Sequence, residues 1–160
     1  MVAGRFTIGL ISDTHGLLRP EALAALQASD AIIHAGDIGD PAILTELARV
    51  APVTAVRGNI DRGAWATSIA TTELVELGGA WIYVIHDIAD FRLDPAAMGC
   101  RVVVAGHSHK PGVRELANVL YVNPGSAGPR RFSLPISLGR LVIEGDEISV
   151  ELIELEPTGR

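Results

Sequence analysis

Polar blocks that follow short apolar runs are the feature that most constrains the fold of this 160-residue chain. Each run has the length and composition of a buried strand, and each block combines glycine or threonine with carboxylate, amide or imidazole side chains. The carboxyl ends of strands in open α/β sheets meet at one edge, so the side chains that follow them come together. The blocks are Asp13-Thr14-His15, Gly36-Asp37, Gly58-Asn59 and Gly106-His107-Ser108-His109, and His86 ends a fifth apolar run. The sequence therefore predicts a site rich in oxygen and imidazole donors.

The first third of the chain alternates apolar runs with helical segments. Pro20 suits the first turn of a helix, and Asp40-Pro41 is typical of an N-cap followed by a first turn. Strands are predicted at 6–11, 31–34 and 53–56, with helices at 21–28 and 41–50 between them. This β-α-β-α-β order predicts parallel strands joined by crossover helices.

The remainder of the chain is rich in strand and hairpin signals. Gly78-Gly79 predicts a hairpin between two β-rich runs, and Glu144-Gly145-Asp146 predicts another near the C-terminal end. Asp94-Pro95 predicts a short helix that ends near Gly99. Further strands are predicted at 102–105, 113–115 and 120–122. We therefore expect one α/β domain over residues 1–160, with two stacked mixed β-sheets flanked by helices.

Composition and charge exclude several classes of protein. A hydrophobic fraction of 48% with 20% charged residues is typical of a folded globular chain. The net charge of -6 argues against general nucleic-acid binding, which needs a basic surface. No apolar run approaches the roughly 20 residues that span a bilayer, no signal-peptide pattern is present, and the lone Cys100 excludes an intramolecular disulfide. We expect a cytoplasmic protein with no membrane partner.

The polar blocks together indicate a metal site. Asp-x-His alone is weak evidence for a metal site, because an aspartate that caps a turn beside a surface histidine gives the same pattern. Four of the five histidines, however, fall just beyond predicted strands and beside glycine or acidic residues. Mixed Asp, Asn and His donors suit Mn²⁺, Fe or Zn²⁺ better than Ca²⁺. The candidate ligands are Asp13, His15, Asp37, Asn59, His86, His107 and His109.

With these residues in this order, the chain resembles the calcineurin-like metallophosphoesterase superfamily, and more closely its small bacterial and archaeal phosphodiesterase branch. The superfamily pattern of Asp-x-His, Gly-Asp, Gly-Asn, His and Gly-His-x-His is matched in order over almost the whole chain. The small branch also has the turn found here as Asn123-Pro124-Gly125-Ser126. The resemblance implies a four-layer αββα fold. It implies one ion on Asp13, His15 and His109, a second on Asn59, His86 and His107, and Asp37 bridging both.

The resemblance also implies an activity, the hydrolysis of small phosphoesters, most of all phosphodiesters. Two divalent ions would lower the pKa of a bridging water and stabilise the charge that develops during in-line displacement. Mn²⁺ is the first expectation for the metal, and Zn²⁺, Fe and Ni²⁺ are alternatives. Asp37, Asn59 and His107 are the expected catalytic residues, acting through the metal-bound hydroxide. A homo-oligomer formed through an exposed sheet edge is left open.

The chain departs from the superfamily pattern at two positions. Ile60 stands where many members have a histidine that is thought to protonate the leaving oxygen, a role worth about 10² to 10⁴ in rate. This favours substrates with good leaving groups, such as aryl or nucleotide esters. It also favours the alternative function, a weakly catalytic or non-catalytic interaction scaffold like the retromer scaffold subunit. Asp87 replaces the usual glycine, where it either orients His86 or caps the loop, and Asp61 is either an outer partner of the site or a turn residue.

The remaining candidates are interpreted as structural or solvated. A structural role is expected for Ser12, Ser108 and Cys100, and a buried core or supporting role for His34. Contacts with phosphate oxygens are weighed against ordinary solvation for Arg57, Arg130 and Arg131. Core packing is favoured over base stacking for Trp65, Trp81 and Phe132.

Overall fold

The first of two five-stranded sheets contains the predicted parallel strands. The computed structural model describes residues 4–157. The strands of this sheet are β1 (Arg5–Ile11), β2 (Ala31–His34), β3 (Val53–Ala55), β9 (Ser137–Glu144) and β10 (Glu147–Glu154). Their order is β10-β9-β1-β2-β3, with β1, β2 and β3 parallel and β9 antiparallel to both β1 and β10. The predicted parallel strands and the C-terminal hairpin are thereby confirmed.

Two helices connect the parallel strands. They are α1 (Pro20–Leu26) and α2 (Pro41–Ala48). The carboxylate of Asp40 accepts a hydrogen bond from the Ala42 N–H at 2.9 Å, which confirms the predicted N-cap. Both helices bury leucines, Leu26 and Leu47, in an apolar cluster that includes Ile11 and Ile32 of the first sheet. The helices therefore cover the outer face of that sheet.

The second sheet contains the middle of the chain. Its strands are β4 (Thr72–Leu77), β5 (Ala80–Ile85), β6 (Cys100–Val104), β7 (Gly112–Leu116) and β8 (Val119–Asn123). The order is β4-β5-β6-β8-β7, with parallel strands in the centre and one antiparallel strand at each edge. The hairpin predicted at Gly78-Gly79 is present, and β7 and β8 form a second one. The sheets are mixed, as the sequence predicts.

The two sheets pack face to face through an aliphatic core. Side chains that alternate along β1, Ile8 and Leu10, pack in one fully buried cluster with Ile82 and Val84 of β5 and Val102 of β6. Full burial of an aliphatic side chain of this size contributes roughly 1.5–3 kcal/mol. This core fixes the relative position of the strand ends from the two sheets.

The expectations for residues 94–99 and for Phe132 were wrong. Residues 94–99 form consecutive turns, in which the Met98 N–H bonds to Pro95 O and the Gly99 N–H bonds to Ala96 O. A segment this short gains too few helical hydrogen bonds to offset nucleation. Phe132, expected in the core, is 87% exposed.

Two short helical segments lie outside the predicted elements. The helix α3 (Ala64–Thr67) and the 3₁₀ turn Ile88–Asp90 were not predicted. Trp65 packs partly buried against the helix cluster. The expectation of core packing was wrong for Trp81, which is 41% exposed. No helix within residues 4–157 is long and apolar enough to cross a membrane.

Candidate metal centre

Backbone hydrogen bonds join the loops that follow β1 and β2. The Asp13 N–H donates to Gly36 O at 3.0 Å, and the His15 N–H donates to Asp37 O at 2.9 Å. The first two polar blocks therefore lie side by side, as expected for the ends of neighbouring parallel strands.

The two oxygens of the Asp13 carboxylate have different surroundings. Oδ2 accepts from the Ser12 hydroxyl at 2.7 Å and from the His107 N–H at 3.0 Å. Oδ1 has no hydrogen-bond partner and lies 3.7 Å from His15 Nε2 and 3.4 Å from His109 Nε2. One oxygen therefore fixes the carboxylate, and the other is aimed at the imidazoles.

The two oxygens of the Asp37 carboxylate also have different surroundings. Its Oδ1 accepts from the Ile60 N–H at 3.1 Å, while its Oδ2 lies 3.4 Å from His15 Nε2 and 3.3 Å from His86 Nε2. Burial alone would raise the pKa of Asp37, but the His86 contact and the Ile60 N–H lower it overall. Asp37 therefore favours its anionic form, with one oxygen between two imidazoles.

His86 is oriented by a backbone carbonyl. Its Nδ1–H donates to Ala35 O at 2.7 Å, which leaves Nε2 facing Asn59 Oδ1 at 3.1 Å and Asp37 Oδ2. Burial lowers the pKa of His86, but Asp37 and the Ala35 carbonyl raise it overall. A proton and a divalent cation therefore compete for Nε2.

The donor atoms form two overlapping groups that fit metal binding. One group is Asp13, His15 and His109, the other is Asp13, Asp37 and His86, and the donor atoms within each group lie within 4.8 Å of one another. Within residues 4–157, the buried side-chain nitrogen and oxygen atoms without a hydrogen-bond partner all belong to the first group: Asp13 Oδ1, His15 Nε2 and His109 Nδ1. A buried polar atom without a partner is costly, and a bound cation would satisfy Asp13 Oδ1 and His15 Nε2 together.

His107 lies outside the two compact groups. Its ring centroid is 5.2 Å from that of His86, and its Nε2 is 3.5 Å from Asp87 Oδ2. Asp87 Oδ1 accepts from the Ala89 N–H at 3.0 Å and so caps the 3₁₀ turn. Asp87 therefore caps the loop, which was one of its two predicted roles, but it faces His107 rather than His86.

The backbone is strained where the candidate ligands lie. Five of the seven have a positive φ: Asp13 (56°), His15 (48°), Asp37 (55°), His107 (72°) and His109 (64°). Such conformations are uncommon for residues other than glycine and cost of order 1–3 kcal/mol each. They persist only where the surroundings hold them, and they cluster at functional sites.

Asp61 is a supporting residue whose role the sequence left open. Its buried carboxylate accepts from three backbone N–H groups, those of Ile38 (3.1 Å), Gly39 (2.9 Å) and Gly58 (2.9 Å). It thereby joins the loop that contains Asp37 to the loop that contains Asn59. An acid two residues after Asn59 was the available signal.

His34 and Thr14 form a second buried support. His34 Nδ1 accepts from the Gly36 N–H at 3.1 Å, and its Nε2 lies 3.0 Å from Thr14 Oγ1. Because the Thr14 hydroxyl donates to Ile38 O at 2.9 Å, His34 Nε2 carries the proton and donates to Thr14. Burial, with help from the charge of His86, lowers the pKa of His34 to about 3. His34 is a neutral core histidine, as the sequence analysis favoured.

Glycines in the polar blocks allow close packing of the loops. A Cβ on Gly58 would lie 2.2 Å from the Asp37 nitrogen, and a Cβ on Gly106 would lie 2.6 Å from Asp13 Oδ2. Only glycine fits such approaches. The glycine before Asn59 and the glycine before His107 are therefore part of the site's geometry.

The Asn-Pro-Gly-Ser turn is hydrogen-bonded to the same loops. The Asn123 amide donates to Gly106 O at 2.9 Å, and the Ser126 hydroxyl donates to Asp13 O at 2.9 Å. Burial lowers the pKa of His109, Asp13 opposes this, and the positive charge of Arg131, further along this segment, lowers it further.

Comparisons with known proteins find relatives among phosphoesterases. Residues 6–146 match the family model described as the calcineurin-like phosphoesterase superfamily domain. The chain is 37% identical to a probable metallophosphoesterase of Methanothermobacter thermautotrophicus, over 91% of each chain. A solved structure described as a novel archaeal phosphodiesterase is similar in fold, with a TM-score of 0.76 at 23% identity over 92% of this chain and all of that one. Vacuolar Protein Sorting 29 from Cryptosporidium parvum has a TM-score of 0.80 at 18% identity over 95% and 92% of the two chains.

Proposed function

The chain belongs to the calcineurin-like phosphoesterase superfamily, and on that premise we propose that it is a phosphodiesterase that uses two divalent cations, with Mn²⁺ as the first ion to test. The observation that carries the proposal is the pair of overlapping donor groups. Asp13 Oδ1 and His15 Nε2, both buried and without a hydrogen-bond partner, lie 3.7 Å apart, and His109 Nε2 lies 3.4 Å from the same oxygen. Isolated turn residues would not leave buried donors without partners.

The proposed ligands divide between two ions. Asp13, His15 and His109 would hold one ion, and Asn59, His86 and His107 the other. The position of Asp37 Oδ2 between His15 and His86 supports a bridging role for this carboxylate. When bound, the two cations would lower the pKa of a coordinated water and neutralise charge on the phosphate.

Neighbouring residues orient the proposed ligands and determine which of their atoms carry protons. Ser12 and the His107 N–H hold Asp13 in place, and the Ala35 carbonyl fixes the tautomer of His86. Ile60 provides its N–H to Asp37, and its side chain cannot donate a proton to a leaving oxygen. Esters with good leaving groups, such as aryl or nucleotide diesters, are therefore the proposed substrates.

The test is hydrolysis of bis(p-nitrophenyl) phosphate and of p-nitrophenyl phosphate by metal-stripped protein, with and without Mn²⁺. We expect Mn²⁺-dependent turnover that favours the diester and is lost in Asp37→Ala. Asp40→Asn, which alters an exposed carboxylate and keeps the helix cap, is the matched control and should retain the activity.

A protein-interaction scaffold of the same fold is the second candidate. It is favoured by Ile60 and by the similarity to Vacuolar Protein Sorting 29. Protein that binds Mn²⁺ in titration calorimetry but hydrolyses neither ester with Mn²⁺, Zn²⁺, Fe²⁺ or Ni²⁺ would favour the scaffold over the enzyme.

A further inference from the structure

Phe132 is the most exposed large apolar side chain of residues 4–157, at 87%. It also has a positive φ of 54°. Eight non-glycine residues in that part of the chain have a positive φ; five are candidate ligands and two, Ala117 and Asn118, form the tight turn between β7 and β8. Phe132 is the eighth. An aromatic residue in this conformation is a conformational outlier.

The segment that contains Phe132 is attached to the metal centre. The Ala127 N–H donates to Ser12 O at 3.1 Å, the Ser126 hydroxyl donates to Asp13 O, and a Cβ on Gly128 would lie 2.3 Å from Thr14 O. Arg19 also reaches this segment, because its guanidinium donates to Gly128 O at 3.3 Å. The chain therefore leaves the centre at Gly128 and arrives four residues later at Phe132.

Arg131 supplies a positive charge directly beside Phe132, in the segment that leaves the centre at Gly128. The described structure gives the Arg131 guanidinium neither an ion pair nor a hydrogen bond, whereas Arg130 donates to Leu134 O at 3.2 Å. The Leu134 N–H donates to Arg131 O at 3.1 Å and closes a turn that presents Arg131 and Phe132 together.

We infer that Arg131 and Phe132 form a substrate subsite, in which Arg131 contacts a phosphate oxygen and Phe132 stacks on a planar aromatic group carried by the ester. This rests on the proposed function and deepens it, because it selects diesters with an aryl or nucleobase arm. A guanidinium suits phosphate oxygens. Stacking of a base on an aromatic side chain is sequence-tolerant and strong enough to set specificity.

The test keeps the leaving group constant and varies only the other arm of the diester. Methyl, phenyl and thymidine 5′ esters of p-nitrophenyl phosphate share one leaving group, so differences in kcat/KM report on the remaining arm. We expect the wild type to favour the phenyl and thymidine arms. Phe132→Ala should lower kcat/KM for these two roughly 5- to 100-fold and leave the methyl diester unchanged.

Three further variants separate stacking from apolar contact and from charge. Phe132→Tyr should retain the preference for aromatic arms, whereas Phe132→Leu should lose it. Arg131→Gln should lower kcat/KM for all three diesters alike, roughly 10-fold. Leu116→Ala, at an apolar position 56% exposed on the edge strand β7, and Arg101→Gln are the matched controls and should behave as the wild type.

A binding measurement makes the result independent of turnover. Phenylphosphonate should bind Mn²⁺-loaded protein more tightly than methylphosphonate in titration calorimetry, and Phe132→Ala should remove the difference. Absence of hydrolysis of every diester would contradict the proposed function while this comparison still decides the subsite. Equal affinities for the two phosphonates in the wild type would overturn the inference. So would a Phe132→Ala variant that changes the oligomeric mass in sedimentation but leaves the two affinities as they are.

Discussion

A single carboxylate, that of Asp61, holds two of the loops that contain candidate ligands. It accepts three backbone N–H groups and is itself buried. In Asp61→Asn, an amide NH₂ would face at least one of these N–H donors, and a buried donor without an acceptor costs about 1–3 kcal/mol. We expect Asp61→Asn to lower the free energy of unfolding by this amount in urea titrations.

The same variant should weaken metal binding. Outer partners that orient ligands typically change metal affinity by roughly 10- to 100-fold. We expect that loss for Mn²⁺ in calorimetric titrations, with Asp40→Asn unchanged. Asp61→Asn with the stability and the affinity of the wild type would show that Asp61 is only a turn residue.

The burial of His34 leads us to predict that the stability of the fold depends on pH. Its pKa is about 3 in the folded chain against an ordinary value of 6.5. Between these values the unfolded chain holds a proton that the folded chain does not, so stability falls as the pH is lowered from about 6.5 towards 3. Metal-free His34→Gln should be destabilised at pH 7, because the supports of Gly36 and Thr14 are altered.

The measurement compares the unfolding free energy of wild type and His34→Gln between pH 7 and pH 4. The wild type should lose up to one proton's worth of stability per pH unit, about 1.4 kcal/mol, beyond the loss in the variant. Parallel pH profiles for the two proteins would contradict a buried neutral His34.

At the scale of elements, the strand ends bring the site together through glycines. Gly106 follows β6, and its missing side chain leaves room for Ser12 and Asp13. Gly106→Ala should lower the unfolding free energy by about 1–3 kcal/mol through overpacking and should also weaken Mn²⁺ binding. Gly112→Ala, at the start of β7 where an added Cβ meets no atom within 4 Å, is the matched control. Equal effects of the two variants would argue against close packing at Gly106.

Apolar runs and turn signals predicted the elements because local chemistry dictates them. The run before Ser12 is β1, Asp40 caps α2, and Gly78-Gly79 joins β4 to β5. The short turns at 94–99 were beyond prediction, because Asp-Pro signals a cap whether or not a helix follows. Local signals thus locate elements better than they determine how far each element extends.

The site was predictable in outline but not in detail. Asp13, Asp37 and His86 converge because strand ends converge. The position of His107 beside Asp87 depends on the loop after β6 and on the turn after β5, whose packing no periodicity encodes. The exposure of Phe132 was equally unpredictable from the sequence, because an isolated aromatic residue is buried in most folds.

At the scale of the whole molecule, the centre spans both sheets. Asp13, Asp37 and Asn59 follow strands of the first sheet, whereas His86 follows β5 and His109 follows β6 of the second. The aliphatic core between the sheets therefore sets the distances between donor atoms. In the unfolded chain these donors are far apart, so a cation that bridges them binds the folded state selectively.

Metal binding should therefore raise the thermal stability of the protein. A ligand at about 100 times its Kd adds about 2.7 kcal/mol to the folded state, and for a chain of this size each kcal/mol corresponds to about 2–4 °C in Tm. We expect Mn²⁺ to raise Tm by about 5–10 °C in differential scanning calorimetry and EDTA to reverse the change. Asp37→Ala should respond less, and Asp40→Asn should respond fully.

The choice of ion tests the chemistry of the donors. Imidazole nitrogen suits Mn²⁺ and Zn²⁺ better than Ca²⁺, which prefers oxygen ligands alone. Ca²⁺ at the same concentration should therefore raise Tm by less than either metal. An equal response to Ca²⁺ would mean that the carboxylates alone bind the cations. In that case, the imidazoles of His15, His86 and His109 would not act as ligands, and the two-ion centre would be wrong.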